Sequence, residues 1–154
     1  MLTEQEKQEI AKEIKLYPYP HAACLDALKI VQHHRGWVDD ESVADIAEIL
    51  GMSADEVDGV ATFYSRIYRK PVGRHVILLC DSVSCMVMGY RSVYDYLSEK
   101  LGIQFGETTS DGRFTLLSIS CLGNCDFAPS MMIDYKLYNK LSIENIDELI
   151  QKYV

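Results

Sequence analysis

The sequence lacks the long apolar segments that membrane-bound and exported proteins carry. No apolar run approaches the roughly 18 residues that suggest a membrane-spanning helix. The opening stretch MLTEQEKQEI contains no apolar core of the kind found in signal peptides. We therefore expect a cytoplasmic protein that does not insert into the membrane directly.

The sequence also lacks a basic face and a nucleotide-binding motif. Its net charge is −8, and its 15 Lys and Arg residues are scattered along the chain. Binding to a nucleic-acid backbone requires a basic face, so we exclude nucleic acid as a partner. No glycine-rich dinucleotide fingerprint and no flavin motif is present. Hydride chemistry would therefore have to come from a partner protein.

The chain contains five cysteines, and four of them fall in two short pieces, CDSVSC and CLGNC. A chain of 154 residues, 48% of them hydrophobic, can form a core without disulfides. Thiols stay reduced in the cytoplasm, which favours metal ligands or redox groups over structural bridges. The fifth cysteine, Cys24, lies on a predicted helix among apolar neighbours and is interpreted as a small core residue.

The first 70 residues are predicted to form four short amphipathic helices. The sequences TEQE and SADE are capping boxes that begin the first and the fourth helix. The second helix runs through AACLDALKIVQHHRG and the third through ESVADIAEILG, each ending at a glycine. The fourth is predicted to carry Tyr64 on its apolar face. Together these helices predict a small bundle.

The pattern changes to alternating strands and helices near residue 71. The run HVILLC predicts a strand that is covered on both faces and ends at Cys80. A helix is expected from about Met86 to Leu101, followed by a strand that ends at Cys121. SMMID and KLY are typical of a hairpin, and a closing helix begins after Ser142. This order of elements predicts an α+β protein.

Both cysteine pairs follow a predicted strand, and the carboxyl ends of strands tend to lie at one edge of a sheet. Four residues separate Cys80 from Cys85, and three separate Cys121 from Cys125. Neither spacing is that of a thioredoxin-type redox dithiol, in which two residues separate the cysteines. A four-cysteine zinc site tolerates similar spacings, and so does a [2Fe–2S] cluster. No histidine lies in either loop, which excludes a Rieske centre.

The residues between the cysteines favour a cluster. Each loop contains small residues whose backbone amides can point at sulfur, and Gly123 permits the positive φ that such a turn often needs. Amide hydrogens and a helix N-terminus after Cys85 would offset the negative charge of thiolates and sulfides. Spacing by itself still leaves both zinc and a cluster open.

Nearly the whole chain resembles a known family. CDSVSC and CLGNC, flanked by GVATFYSRIYRKPVGRHVI and APSMMID, are similar to the corresponding parts of the E subunits of NADH-quinone oxidoreductase. The family provides the small iron–sulfur subunit of respiratory complex I. The resemblance implies a helical bundle over residues 1–70 and a thioredoxin-like [2Fe–2S] ferredoxin domain over residues 71–154.

The resemblance also implies a site and a role. One [2Fe–2S] cluster would be bound by four cysteines and would transfer single electrons, beside a partner subunit that binds FMN and NADH. The chain would then be a part of an enzyme, peripheral to the membrane, without catalytic activity by itself. Two alternatives stay open: the equivalent subunit of an NAD-linked hydrogenase or formate dehydrogenase, and a structural zinc-binding module. The implied ligands are Cys80, Cys85, Cys121 and Cys125.

Overall fold

The computed structural model describes residues 1–153, which form two compact units, Met1–Pro71 and a second unit that begins at Val72. No helix within residues 1–153 is long and apolar enough to cross a membrane. The helical unit contains α1 (Glu4–Ile14), a 3-10 turn (Pro20–Ala23), α2 (Cys24–Arg35), α3 (Asp40–Leu50) and α4 (Ala54–Phe63). The second unit contains β1 (His75–Cys80), α5 (Val83–Val87), α6 (Tyr90–Leu101), β2 (Phe114–Ile119), a 3-10 turn (Cys125–Phe127), β3 (Met131–Ile133), β4 (Lys136–Tyr138) and α7 (Ile143–Ile150).

The helices of the first unit begin and end where local signals place them. Both predicted capping boxes are present: the Thr3 hydroxyl accepts from the Glu6 amide, and Ser53 pairs with Glu56 in the same way. Helices α2 and α3 each end at a glycine in the left-handed conformation. Cys24 is buried in the core of this unit, as predicted.

A buried ion pair joins α1 to α2. The Arg35 guanidinium donates through Nε and Nη2 to the two carboxylate oxygens of Glu6, at 2.7 and 2.8 Å. The Glu6 side chain is only 1% exposed. The bonds from Arg35, helped by those from Thr3, lower the pKa of Glu6 to about 2 despite its burial. The same guanidinium donates to the Ser42 hydroxyl on α3, at 3.1 Å.

The prediction for Tyr64 is wrong. Helix α4 ends at Phe63, and Tyr64 has an extended backbone at the C-cap with a half-exposed side chain. Its ring packs edge-on against the exposed ring of Phe63 rather than into the core. The helical periodicity therefore stops one residue earlier than the sequence pattern indicates.

The second unit is built on a four-stranded mixed sheet in the order β2-β1-β3-β4. Strand β1 pairs with β2 in parallel and with β3 antiparallel, so it lies inside the sheet and its last five residues are buried. Helix α7 begins after Ser142, as predicted. The predicted order of strands and helices is confirmed, and the unit is α+β.

Two boundaries near the cysteines differ from the predictions. The expected single helix from Met86 to Leu101 is two helices, α5 and α6, because Gly89 between them has a positive φ of 105°. Cys85 therefore lies inside α5 and not ahead of a helix. Strand β2 ends at Ile119, so Cys121 stands in the loop and does not end the strand.

Candidate metal centre

The parallel pairing of β1 with β2 brings the two cysteine loops to one edge of the sheet. Cys80, the last residue of β1, is in register with Ile119, the last residue of β2. The next amide along the chain, that of Asp81, donates to the Ile119 carbonyl at 3.1 Å. Cys121 follows shortly after Ile119. Both loops therefore leave the sheet side by side, as the sequence predicts.

The first cysteine pair, here called the inner pair, is Cys80 and Cys85. Both side chains belong to the hydrophobic core and are at most 3% exposed. Burial, followed by the hydrogen bond with Cys80, raises the pKa of the Cys85 thiol to about 11. The nearby backbone of Ser130 acts in the opposite direction and lowers the pKa of this thiol. A thiolate at this position needs a nearby positive centre, such as a metal ion, to be stable.

The second pair, here called the outer pair, is Cys121 and Cys125. Both residues are exposed, and their sulfur atoms lie 3.9 Å apart. The Gly123 amide donates to the Cys121 sulfur at 3.3 Å, and Gly123 has a φ of +71°. Both expectations for this glycine, a positive φ and an amide that points at sulfur, are confirmed. Such amide bonds stabilise a negatively charged sulfur.

The four thiols fit a metal centre by their chemistry and by their place in the fold. The parallel pairing of β1 with β2 brings both cysteine loops to one edge of the sheet, and the outer sulfurs are 3.9 Å apart. Within residues 1–153, no group of three or more His, Cys, Asp or Glu side chains is already arranged around a point that could hold a metal ion. Four thiolates are the ligands both of structural zinc sites and of [2Fe–2S] clusters.

Two residues of the site carry no signal in the sequence. Ser130 is buried at the start of the hairpin strand, and its carbonyl accepts from the Cys80 amide at 3.1 Å. Asn124 lies between the two outer cysteines and donates through its side-chain amide to the Ser130 hydroxyl at 2.9 Å. Only the folded structure reveals these contacts, because local periodicity says nothing about them.

An apolar rim lies beside the cysteines in sequence and is open to solvent. Helix α5 carries Cys85 on its buried side and several large apolar side chains on its exposed side, and one aromatic ring follows Cys125 in the adjoining 3-10 turn. Contiguous exposed apolar residues are typical of protein interaction sites. The apolar rim consists of Val83, Met86, Val87, Met88 and Phe127.

The chain is similar over nearly its whole length to known iron–sulfur proteins. The thioredoxin-like [2Fe–2S] ferredoxin family matches residues 10–154. The NADH-quinone oxidoreductase E subunit of Pseudomonas aeruginosa is 49% identical over 154 residues, which cover 100% of this chain and 93% of that protein. The protein of the same name from Escherichia coli is 52% identical over 152 residues, covering 99% of this chain and 92% of that protein.

One solved structure is similar over most of the chain. It is an NAD+-reducing [NiFe]-hydrogenase in the air-oxidized state, with a TM-score of 0.71 and 27% sequence identity. The similarity covers 85% of this chain but only 22% of the hydrogenase chain. The fold therefore also occurs as one part of a larger NAD-linked enzyme.

Proposed function

Because the chain belongs to the thioredoxin-like [2Fe–2S] ferredoxin family, we propose that it is the electron-transferring E subunit of an NADH-quinone oxidoreductase. The observation that carries this proposal is the meeting of two cysteine pairs at one sheet edge, with the Gly123 amide donating to the Cys121 sulfur. The proposed ligands of one [2Fe–2S] cluster are Cys80, Cys85, Cys121 and Cys125.

The residues of this chain bind, shield and present such a cluster. When bound, a [2Fe–2S] cluster accepts and returns one electron at a time. The two inner cysteines lie in the hydrophobic core, which would hold them in place and exclude water from that side of the cluster. The amide of Gly123 donates to the Cys121 sulfur and so compensates its negative charge. The outer pair is exposed, so we infer that electrons enter and leave on its side.

The partner in this proposal is the subunit that binds FMN and NADH, which makes the chain peripheral to the membrane through its complex. This chain has no dinucleotide fingerprint, so a hydride has to be accepted elsewhere. The apolar rim supports the proposal, since docking this surface on a flavoprotein would bring the outer pair close to the flavin. We therefore assign the rim to that contact.

A second candidate is the equivalent subunit of an NAD-linked hydrogenase or formate dehydrogenase, which the similarity to the hydrogenase structure supports. Identities of 49% and 52% to the two E subunits favour the quinone oxidoreductase over the hydrogenase, at 27%. Both candidates need the same cluster and a flavin-containing partner.

The first experiment tests the cluster. Protein purified without oxygen should contain about two iron ions and about two acid-labile sulfide ions per chain, which is the composition of the cluster. It should be coloured, and it should give a rhombic electron paramagnetic resonance signal after reduction. A colourless, folded protein with stoichiometric zinc would contradict the proposal and support a structural zinc module.

The second experiment tests the partner. NADH should bleach the visible absorption only after the flavin-containing protein is added, and the two proteins should co-purify. Val87→Asp places a charge in the apolar rim and should weaken the complex more than about tenfold, as the loss of a central interface contact does. The control is Tyr135→Asp, an exposed residue in the β3–β4 turn at the opposite end of the sheet. Reduction by NADH without the flavoprotein, or equal binding by both variants, would contradict the assignment.

A further inference from the structure

The buried residue Ser130 contacts both cysteine loops, one through its backbone carbonyl and the other through its hydroxyl. Its carbonyl accepts from the Cys80 amide at 3.1 Å. Its hydroxyl accepts from the side-chain amide of Asn124 at 2.9 Å and lies 3.3 Å from the Phe127 carbonyl, to which it donates. The side chain is 1% exposed, so these bonds are protected from water. One residue thus touches the inner pair with its backbone and the outer loop with its side chain.

Asn124 completes the connection on the outer side. It stands between Cys121 and Cys125, and its side-chain nitrogen also donates to Asn139, just beyond β4, at 2.5 Å. Both amide hydrogens of Asn124 are therefore used, one toward Ser130 and one toward Asn139. The outer loop is exposed and contains no regular strand, so these side-chain bonds hold it against the sheet.

We propose that Ser130 and Asn124 are positioning residues that fix the outer pair relative to the inner pair. This inference rests on the proposed function, because the two residues would determine the positions of the sulfurs that bind the cluster. The backbone of Ser130 is hydrogen-bonded to β1, so its hydroxyl has a fixed position in the core. The bond from Asn124 to this hydroxyl holds the exposed loop at that position.

The physical consequence concerns the bound cluster more than the fold. Hydrogen bonds around cluster ligands orient the sulfurs and tune the reduction potential. Loss of the Ser130 hydroxyl leaves one of the two amide hydrogens of Asn124 without a partner in a half-buried place and loosens the loop. The outer pair then samples several positions, which broadens the spectroscopic signal and opens a path for iron to leave.

The test compares Ser130→Ala with Ser98→Ala. Ser98 is in the same unit, and its hydroxyl donates to the Ile103 carbonyl at 2.6 Å, so this control also loses a hydrogen bond. We expect Ser130→Ala to lose iron to a chelator about fivefold faster than wild type, which corresponds to about 1 kcal/mol for one hydrogen bond. Its paramagnetic resonance signal and midpoint potential should also shift. Ser98→Ala should match wild type in all three properties.

A double-substitution cycle separates positioning from a general loss of stability. If Ser130 and Asn124 act through their shared bond, Ser130→Ala/Asn124→Ala should lose iron more slowly than the product of the two single effects predicts, because the shared bond is lost only once. Multiplication of the two effects, or a wild-type signal, potential and iron loss in both single variants, would overturn the inference. If Ser130→Ala does not fold, Asn124→Ala alone carries the comparison. A wild-type protein without a cluster would instead contradict the proposed function.

Discussion

The backbone conformation of Gly123 leads to the sharpest prediction for the site. Its φ of +71° is one that L-residues with side chains rarely adopt, and its amide donates to the Cys121 sulfur at 3.3 Å. Replacement by alanine or valine should therefore weaken retention of the cluster although no ligand is changed.

The expected size of the effect follows from the surroundings. A Cβ atom at Gly123 would meet nothing within 4 Å, so packing adds no cost and backbone strain is the whole penalty. That strain is about 1–2 kcal/mol for alanine and about 1–3 kcal/mol for the β-branched valine. Gly123→Asn should cost less than either, since asparagine tolerates the left-handed region.

The assay is the amount of iron that survives incubation with a chelator, together with the midpoint potential and the thermal unfolding temperature. The matched control is Gly102→Ala, at the C-cap of α6, where φ is +66° and a Cβ again meets nothing within 4 Å. Both alanine variants should unfold at a similarly lowered temperature, but only Gly123→Ala should lose iron faster. Wild-type iron retention and potential in Gly123→Val would refute the reasoning.

Two further predictions concern the cysteines and the ion pair of the helical unit. Cys85→Ser should destroy or markedly alter the visible spectrum, because serine is a harder ligand than thiolate. Cys24→Ser should leave the spectrum unchanged. A changed spectrum in Cys24→Ser would show that the proposed ligand set is wrong. The lowered pKa of Glu6 means that its contribution to stability is complete above about pH 4.5 and is lost as the pH falls toward about 2. The free energy of unfolding of wild type should therefore exceed that of Glu6→Gln by about 3 kcal/mol at neutral pH. Thermal unfolding should show that this difference becomes smaller in acid. A difference that stays constant with pH would contradict the role of the ion pair between Arg35 and Glu6.

The parts of the structure that the sequence predicts are those with local causes. A capping box needs only four consecutive residues, so the starts of α1 and α4 could be predicted from TEQE and SADE. The buried strand β1 could be predicted from its unbroken apolar run, and the positive φ of Gly123 from the need for a tight turn. Each of these features depends on neighbours along the chain.

The features that the sequence does not predict depend on the backbone of the folded unit or on residues far apart in sequence. Gly89 occupies a position that a helix tolerates, and only its positive φ in the folded unit ends α5. The importance of Ser130 follows from the antiparallel pairing of β3 with β1, which sets its carbonyl opposite the Cys80 amide. The bidentate bond of Arg35 to Glu6 joins two helices. Hydrophobic periodicity contains no information about any of these contacts.

The unequal burial of the two cysteine pairs makes the metal-free chain vulnerable at one place. The surface sulfurs of Cys121 and Cys125 are 3.9 Å apart and need to approach by only about 2 Å to form a disulfide. An oxidant that removes two electrons and two protons would therefore join these thiols first, while the core shields Cys80 and Cys85. The oxidised chain would keep only two of the four proposed ligands and could not assemble the proposed centre. A newly made chain thus depends on a reducing environment until iron reaches its surface cysteines.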